Sequence, residues 1–404
     1  MATEQLNDAK TILNRTPVFD RDKNVWAYEL SLHNTTPEAD SEEETRLILE
    51  EFEAQLASDK RILLEFDKQT LPEDLGQWGI GPRHVLTLPG SEEADPHSML
   101  ETAHNIGAKV AASFDALRNT NGGLLEKSDY LRVSIRNKSP REVMSIRKEA
   151  EAFNGEILAV DIDSWEAFEG TRALGFQYFQ GPFFTKPFFR PGEPVSAAAV
   201  AKLQILRELN MPECDMTRLA ESIASDVALS YRLLTYINSA SFCIAHRIKS
   251  IQQAVTLLGL NEIKKWAMVV LMSGMDDSER GSELAYMALQ RARFLESMAS
   301  LDSVKYTAGT MFMLGLFSKL DALLAHPMEQ VLENLPIDDE VKGALTGGDV
   351  PLRSWIRMLE AIECDDWKKA NDVLVSHGAC LPHAAANYLK SCSWANRQCS
   401  LMRG

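Results

Sequence analysis

The chain has 404 residues, 45% hydrophobic and 25% charged, with a formal net charge of -16. That length allows two or three globular domains, each with its own core, and the composition excludes disordered, collagen-like and disulfide-rich classes. The acidity disfavours a nucleic-acid polymer or an anionic lipid surface as partner, because affinity for either comes from Lys and Arg.

In chain order, Val25–Leu32 reads as a strand and Thr45–Leu56 as a helix with Leu47, Ile48 and Leu49 beside acidic residues. Arg61–Phe66, His84–Leu88, Lys109–Phe114 and Leu131–Ile135 are short strand candidates. Glu142–Phe153 is predicted helical, Glu156–Val160 a strand, and Ser164–Leu174 a helix. Alternation of strand and helix predicts a parallel sheet with helices outside it. About 190 residues are few for an eight-unit barrel, which usually takes ~250, so some helices must be trimmed. Pro187, Pro191, Gly192 and Pro194 oppose regular structure and place a domain boundary near residue 190. The expected domains are therefore 1–190 and 191–404.

From Ser196 onward strand signals vanish and apolar residues recur at helical spacing. Ile251, Ala254, Val255 and Leu258 fall on one face of a helix. Ser250 with Gln253 fits a capping box at its start, and Gly259 fits a stop. Further helices are predicted at Ser282–Leu301, Lys305–Lys319, Pro351–Cys364, Trp367–Ser376 and Leu381–Gln398.

Six cysteines, Cys214, Cys243, Cys364, Cys380, Cys392 and Cys399, form no CxxC pair, which predicts a reduced, cytoplasmic chain. The opening MATEQLNDAKT has no apolar core, and no run approaches ~18 apolar residues, so neither a leader nor a membrane span is expected.

Three passages resemble known families. Pro17-Val18-Phe19-Asp20-Arg21-Asp22, followed by Trp26-Ala27-Tyr28-Glu29-Leu30, resembles the opening strand of EAL domains. These are cyclic di-GMP phosphodiesterases in which that Glu binds a catalytic metal. Leu174-Gly175-Phe176-Gln177-Tyr178-Phe179-Gln180-Gly181-Pro182-Phe183-Phe184 resembles the closing strand of the same fold, whose Gln-Gly contacts the active site. Asp226–Leu234, Ile237–Ala240, Ile248–Leu260, Gln290–Phe294 and Leu314–Asp321 resemble, in order, HDOD domains. Those are helical relatives of the HD hydrolases that lack the metal-binding His-Asp pair. The resemblance implies a multidomain fold: a trimmed α/β TIM-like barrel of the EAL type, then an all-α HDOD domain.

The resemblance also implies a test. Hydrolysis in EAL domains uses two divalent cations, of the magnesium or manganese type, held by carboxylates at the strand ends. Glu29 stands on the first such strand, with His33 four residues on. The family's Asn ligand corresponds to Glu65 and its next Glu to Thr87. Its paired Asp residues fall within Ala111-Ala112-Ser113, and its Lys-x-Asp becomes Arg132-Val133-Ser134. A later Glu falls near Val160, while Gln180 is kept. Arg cannot give up its proton and so cannot serve as a base. This comparison predicts a degenerate barrel with no catalytic residues, no metal ligands and no cofactor. Glu29, Arg132 and Gln180 would then form a vestigial ligand site. The function expected is a non-enzymatic signalling protein whose HDOD domain binds protein partners. Two alternatives are a non-hydrolysing cyclic di-GMP receptor, with Arg132 and Lys186 near the phosphates, and a phosphodiesterase with an atypical metal site.

Other candidates read more simply as structure. His377, Cys380 and His383 have zinc-binding types but no finger spacing, and Pro382 interrupts them. Ser225 or Asp226 fits a helix cap. Asn238-Ser239-Ala240 fits a helix end, and the methionines between Met268 and Met275 fit core packing. No G-x-G-x-x-G, G-x-x-x-x-G-K-[ST], H-E-x-x-H or G-x-S-x-G occurs, so no nucleotide loop or hydrolase elbow is supported.

Overall fold

The computed structural model describes residues 10–35, 42–57, 59–65, 75–87, 96–115, 127–188, 197–211, 216–225, 227–238, 248–301, 303–333 and 335–403. The chain divides into two compact units. One is Met1–Lys186 with Arg357–Lys390; the other is Pro187–Ile356 with Ser391–Gly404.

The first unit is built on a closed barrel of eight strands in sequence order. These are β1 (Thr11–Phe19), β2 (Val25–Asn34), β3 (Arg61–Glu65), β4 (His84–Thr87), β5 (Lys109–Ser113), β6 (Tyr130–Ser134), β7 (Glu156–Val160) and β8 (Tyr178–Gln180). Neighbours from β2 to β8 pair in parallel, while β1 is antiparallel to both β2 and β8. The passage expected to be one opening strand is thus a pair. Turn chemistry explains it: Asp20 Oδ1 accepts from the backbone amides of Asp22 and Asn24, both at 2.9 Å, and Lys23 takes a left-handed φ of 67°.

Described helices at Glu42–Glu53, Pro96–Asn105, Pro140–Glu149 and Trp165–Ala173 serve as crossovers. Between β3 and β4 the described residues hold a 3₁₀ turn, Leu75–Trp78. Ser139 caps the third of these helices in a full capping box with Glu142, and Ser164 caps the fourth.

Side chains alternate between lumen and outer face along each strand. Register therefore layers the lumen. Val18, Ala27, Leu63, Val85, Ala111 and Leu158 form a dry middle layer. One inward position further along come Glu29, midway along β2, and Glu65, Thr87, Arg132 and Gln180, at or near the C-terminal ends of their strands. An apolar layer below and a polar layer above is the arrangement that puts barrel sites at the C-terminal face.

Helices make up the described part of the second unit. Ser250 caps the helix Ile251–Ser273 by accepting from the Gln253 amide at 3.2 Å. At Gly259, with φ 76° and ψ 165°, the first helix of this run ends as expected and a second follows across a kink. Gln290 and Arg291 are buried in the helix Glu279–Met298, and Arg291 bonds Ser318 Oγ at 3.0 Å. Asn238 ties its helix end to Ile248: its side chain donates to the Leu234 and Ile248 carbonyls and accepts from the Ile248 amide at 2.8 Å. Met268 and Met272 pack in the core. Asp226, Ser239 and Ala240 lie outside the described residues.

Candidate functional site at the barrel mouth

The structure brings Glu29, Arg132 and Gln180 together across the lumen. Arg132 Nη1 lies 2.7 Å from Glu29 Oε1, 3.3 Å from Glu65 Oε2 and 2.7 Å from Thr87 Oγ1. Gln180 Nε2 donates to the other Glu29 oxygen. Glu29 and Gln180 are both 7% exposed. Burial alone would lower the Arg132 pKa, but the Glu29 and Glu65 carboxylates outweigh it and the net direction is upward. The guanidinium is therefore a fixed positive charge. Burial, opposed by Arg132 and reinforced by the negative charge of Glu29, raises the Glu65 carboxyl.

Gln180 owes its position to the residue after it. Gly181 has φ 142°, and a Cβ there would stand 2.3 Å from the Ile162 carbonyl oxygen and 2.4 Å from its amide nitrogen. Glycine lets the end of β8 close onto the segment after β7, where the Ile162 amide bonds the Gln180 carbonyl at 3.0 Å. Beside it Asp161 holds a left-handed φ of 62° and is fixed by Ser134 Oγ and Arg136 Nη2, each at 2.6 Å. Strain of this kind at the end of a barrel strand is typical of functional positions.

Two buried acceptors in this layer receive no hydrogen bond. Glu29 Oε1 faces Arg132 as an ion pair off the N–H axis, and Gln180 Oε1 also has no donor. An unfilled buried acceptor costs about 1–3 kcal/mol, so Gln180 Oε1 needs a reason. Together with Glu65 and Thr87 the two acceptors offer hard oxygens that fit one cation of the magnesium or manganese type, in exchange with the guanidinium. Among the described residues, no three Asp, Glu, His or Cys side chains converge on a common point.

The remaining candidates fall elsewhere. Asp115 and Asp163, acidic residues shortly after β5 and β7 that would suit a barrel site by type, are exposed. Lys186 offers its carbonyl to Trp165 Nε1 at 3.0 Å. Cys380 is exposed and His377 has its pKa lowered by burial. Sequence reasoning missed Asn14 and Asp365. Asn14 occupies the mouth on β1, opposite Ser31. Asp365 stands in the turn after the helix Arg353–Glu363, and Asn14 Nδ2 donates to it at 2.9 Å. No local pattern announces a contact across 351 residues.

Comparison with known proteins matches the HDOD domain family to residues 197–335. Cyclic di-GMP phosphodiesterase CdgJ of Vibrio cholerae is 33% identical over 246 residues, 61% of this chain and 57% of that protein. The chain thus aligns with little more than half of that relative. YuxH of Bacillus subtilis is 28% identical over 384 residues, 90% of this chain and 93% of YuxH. Among solved structures, the Klebsiella pneumoniae BlrP1 manganese/cy-diGMP complex is 15% identical, covering 43% of this chain and 54% of that one, with a TM-score of 0.34.

The chain has the EAL–HDOD architecture.

Two expectations are corrected here. The EAL–HDOD chain was expected to be no enzyme, yet a relative at 33% identity is named a phosphodiesterase. It was expected to use no metal cofactor, and that expectation rested on the same loss of activity and falls with it. The reason is physical. Checking the family's ligand positions one by one asks whether the usual donors persist. It does not ask whether a different oxygen at one of those positions, such as the Glu65 carboxylate, supplies the site.

Proposed function

We propose that the barrel hydrolyses cyclic di-GMP with a divalent cation held by an atypical oxygen set, and that the helical unit binds protein partners that read or set its state. The buried oxygens of Glu29 and Gln180 beside a fixed guanidinium, one paired only with Arg132 and the other with no hydrogen bond, carry this reading.

The chemistry follows from competition for charge. Arg132 is shared between Glu29, Glu65 and Thr87. A phosphodiester offers the planar guanidinium two anionic oxygens in a matching fork. When phosphate takes Arg132, Glu29 and Glu65 lose their counter-charge. They and Gln180 are then the residues that would hold the cation, and a bound cation supplies Lewis-acid polarisation and an activated water. Gln180 keeps the Glu29 carboxylate oriented through its amide, and Gly181 keeps Gln180 in place. Among the described residues no helix is long and apolar enough to cross a membrane.

The test is turnover by the purified full chain, given cyclic di-GMP with manganese or magnesium. Linear dinucleotide should form and should vanish in Glu29→Ala. Absence of linear product with either cation, from protein shown to be folded, would overturn the reading.

A further inference from the structure

Asn14 is buried at 4% exposure and lies on the same face of β1 as Thr16, the register partner of Glu29. It therefore points into the mouth, one inward step above the polar layer. Its side chain makes three hydrogen bonds, all to residues of the segment 357–390 within the same compact unit. Nδ2 donates to the Ile362 carbonyl at 2.7 Å and to Asp365 Oδ1 at 2.9 Å, and Oδ1 accepts from the buried Tyr388 hydroxyl at 3.0 Å. On β2, His33 shares the face of Glu29 and Ser31, and its ring stacks on Trp367 with centroids 4.2 Å apart and planes 1° from parallel. Asp365 itself adopts a left-handed φ of 56°, unusual for a non-glycine, which turns it toward Asn14. Its charge is felt together with those of Glu29, Glu65 and Arg136.

We infer that residues 357–390 are a lid seated on the β1–β2 side of the barrel mouth, with Asp365 as the charge that opposes an anionic ligand there. This deepens the proposed function and rests on it. A covered mouth lowers apparent affinity by the fraction of time the lid is open, and Asp365 adds a carboxylate to a mouth that must receive two phosphates. Tyr388 and Trp367 hold the lid by packing and hydrogen bonding, so they position it, whereas Asp365 acts on the ligand through its charge.

The experiment uses the full chain and three variants, Asn14→Ala, Trp367→Ala and Asp365→Asn. Hydrogen exchange over 357–390 reports whether the lid is seated, and kinetics with cyclic di-GMP and manganese report access. Asn14→Ala and Trp367→Ala should each speed exchange in the segment and lower KM about tenfold with kcat unchanged, as for a lid open on the order of a tenth of the time. Asp365→Asn keeps the shape but removes the charge. It should lower KM and flatten its salt dependence beyond what any loosening of the segment explains. Faster exchange with a wild-type KM would overturn the lid while leaving hydrolysis standing. If no chain turns over, the hydrolytic reading falls, and calorimetric binding of cyclic di-GMP decides the lid instead. Equal affinity in wild type and both alanine variants would then overturn it.

Discussion

The two ends of the barrel lumen are built from the same strands and treat their polar atoms in opposite ways. At the N-terminal ends, Trp26 stacks on Tyr178 at 3.8 Å and meets Tyr130 edge-on at 5.2 Å, closing the floor with rings. The Tyr178 hydroxyl donates to both Glu156 oxygens at 3.1 Å, and the Arg61 guanidinium lies 6.0 Å from the Trp26 ring centroid. Burial and the Glu156 carboxylate push the Tyr178 hydroxyl well above the usual tyrosine range, so it stays a donor. At the C-terminal ends, Glu29 Oε1 has only the Arg132 ion pair and Gln180 Oε1 has no hydrogen bond. A satisfied floor serves stability, and the open acceptor at the mouth is what the proposed hydrolytic site rests on.

The largest effect separates the two ends directly. Trp26→Ala removes the ring that stacks on Tyr178 and should cost about 3 kcal/mol, as aromatic truncations do. Turnover per folded molecule should stay at the wild-type level. Urea unfolding followed by tryptophan-independent circular dichroism measures the first quantity, and product formation below the transition measures the second. Lost turnover with unchanged stability would abolish the division between floor and mouth.

At the mouth the matching change is Arg132→Met. It leaves Glu29 buried without its counter-charge and should cost about 3 kcal/mol, the penalty of breaking a buried pair from one side. Adding Glu29→Gln removes the stranded charge and should restore most of that loss. A double-mutant cycle reads this coupling. Additive losses would mean that the ion pair is not the link between the two side chains.

Much of this was legible from residues alone, and the reason differs by element. Strands β3, β4, β5 and β7 were found because short β-branched runs alternate with helical stretches. Glu29 and Gln180 were found through the motifs around them, and Arg132 because it replaces an expected base. The β1–β2 hairpin was read as one strand because its turn, built on Asp20, has no Gly-containing hairpin signal. Gly259 was legible as a stop because the positive φ that ends a helix suits glycine. Asn14 and Asp365 were invisible. A contact between a residue of the first strand and one in a late helical turn depends on where 357–390 returns to, and no spacing encodes that.

The smallest effect tests that return by pH. Asp365 keeps part of its surface in solvent, yet protein atoms crowd its carboxyl. Desolvation raises its pKa first, the Asn14 hydrogen bond lowers it, and the Glu29 and Glu65 charges raise it again against Arg136, leaving it at about 6 instead of 3.8. Between those two values the seated segment holds a proton that the released segment has given up. Seating is therefore strongest below the lower value, weakens as pH rises toward about 6, and changes no further above it. Exchange protection over 357–390, corrected for intrinsic rates, should fall between about pH 4 and pH 6, and Asp365→Asn should flatten that fall. The groups facing Asp365 in this window, Glu29, Glu65 and Arg136, remain in the variant, so any slope that survives belongs to them. An unchanged slope would show that Asp365 does not carry the pH response of the seat, leaving packing at Trp367 and the hydrogen bonds of Asn14 to hold it.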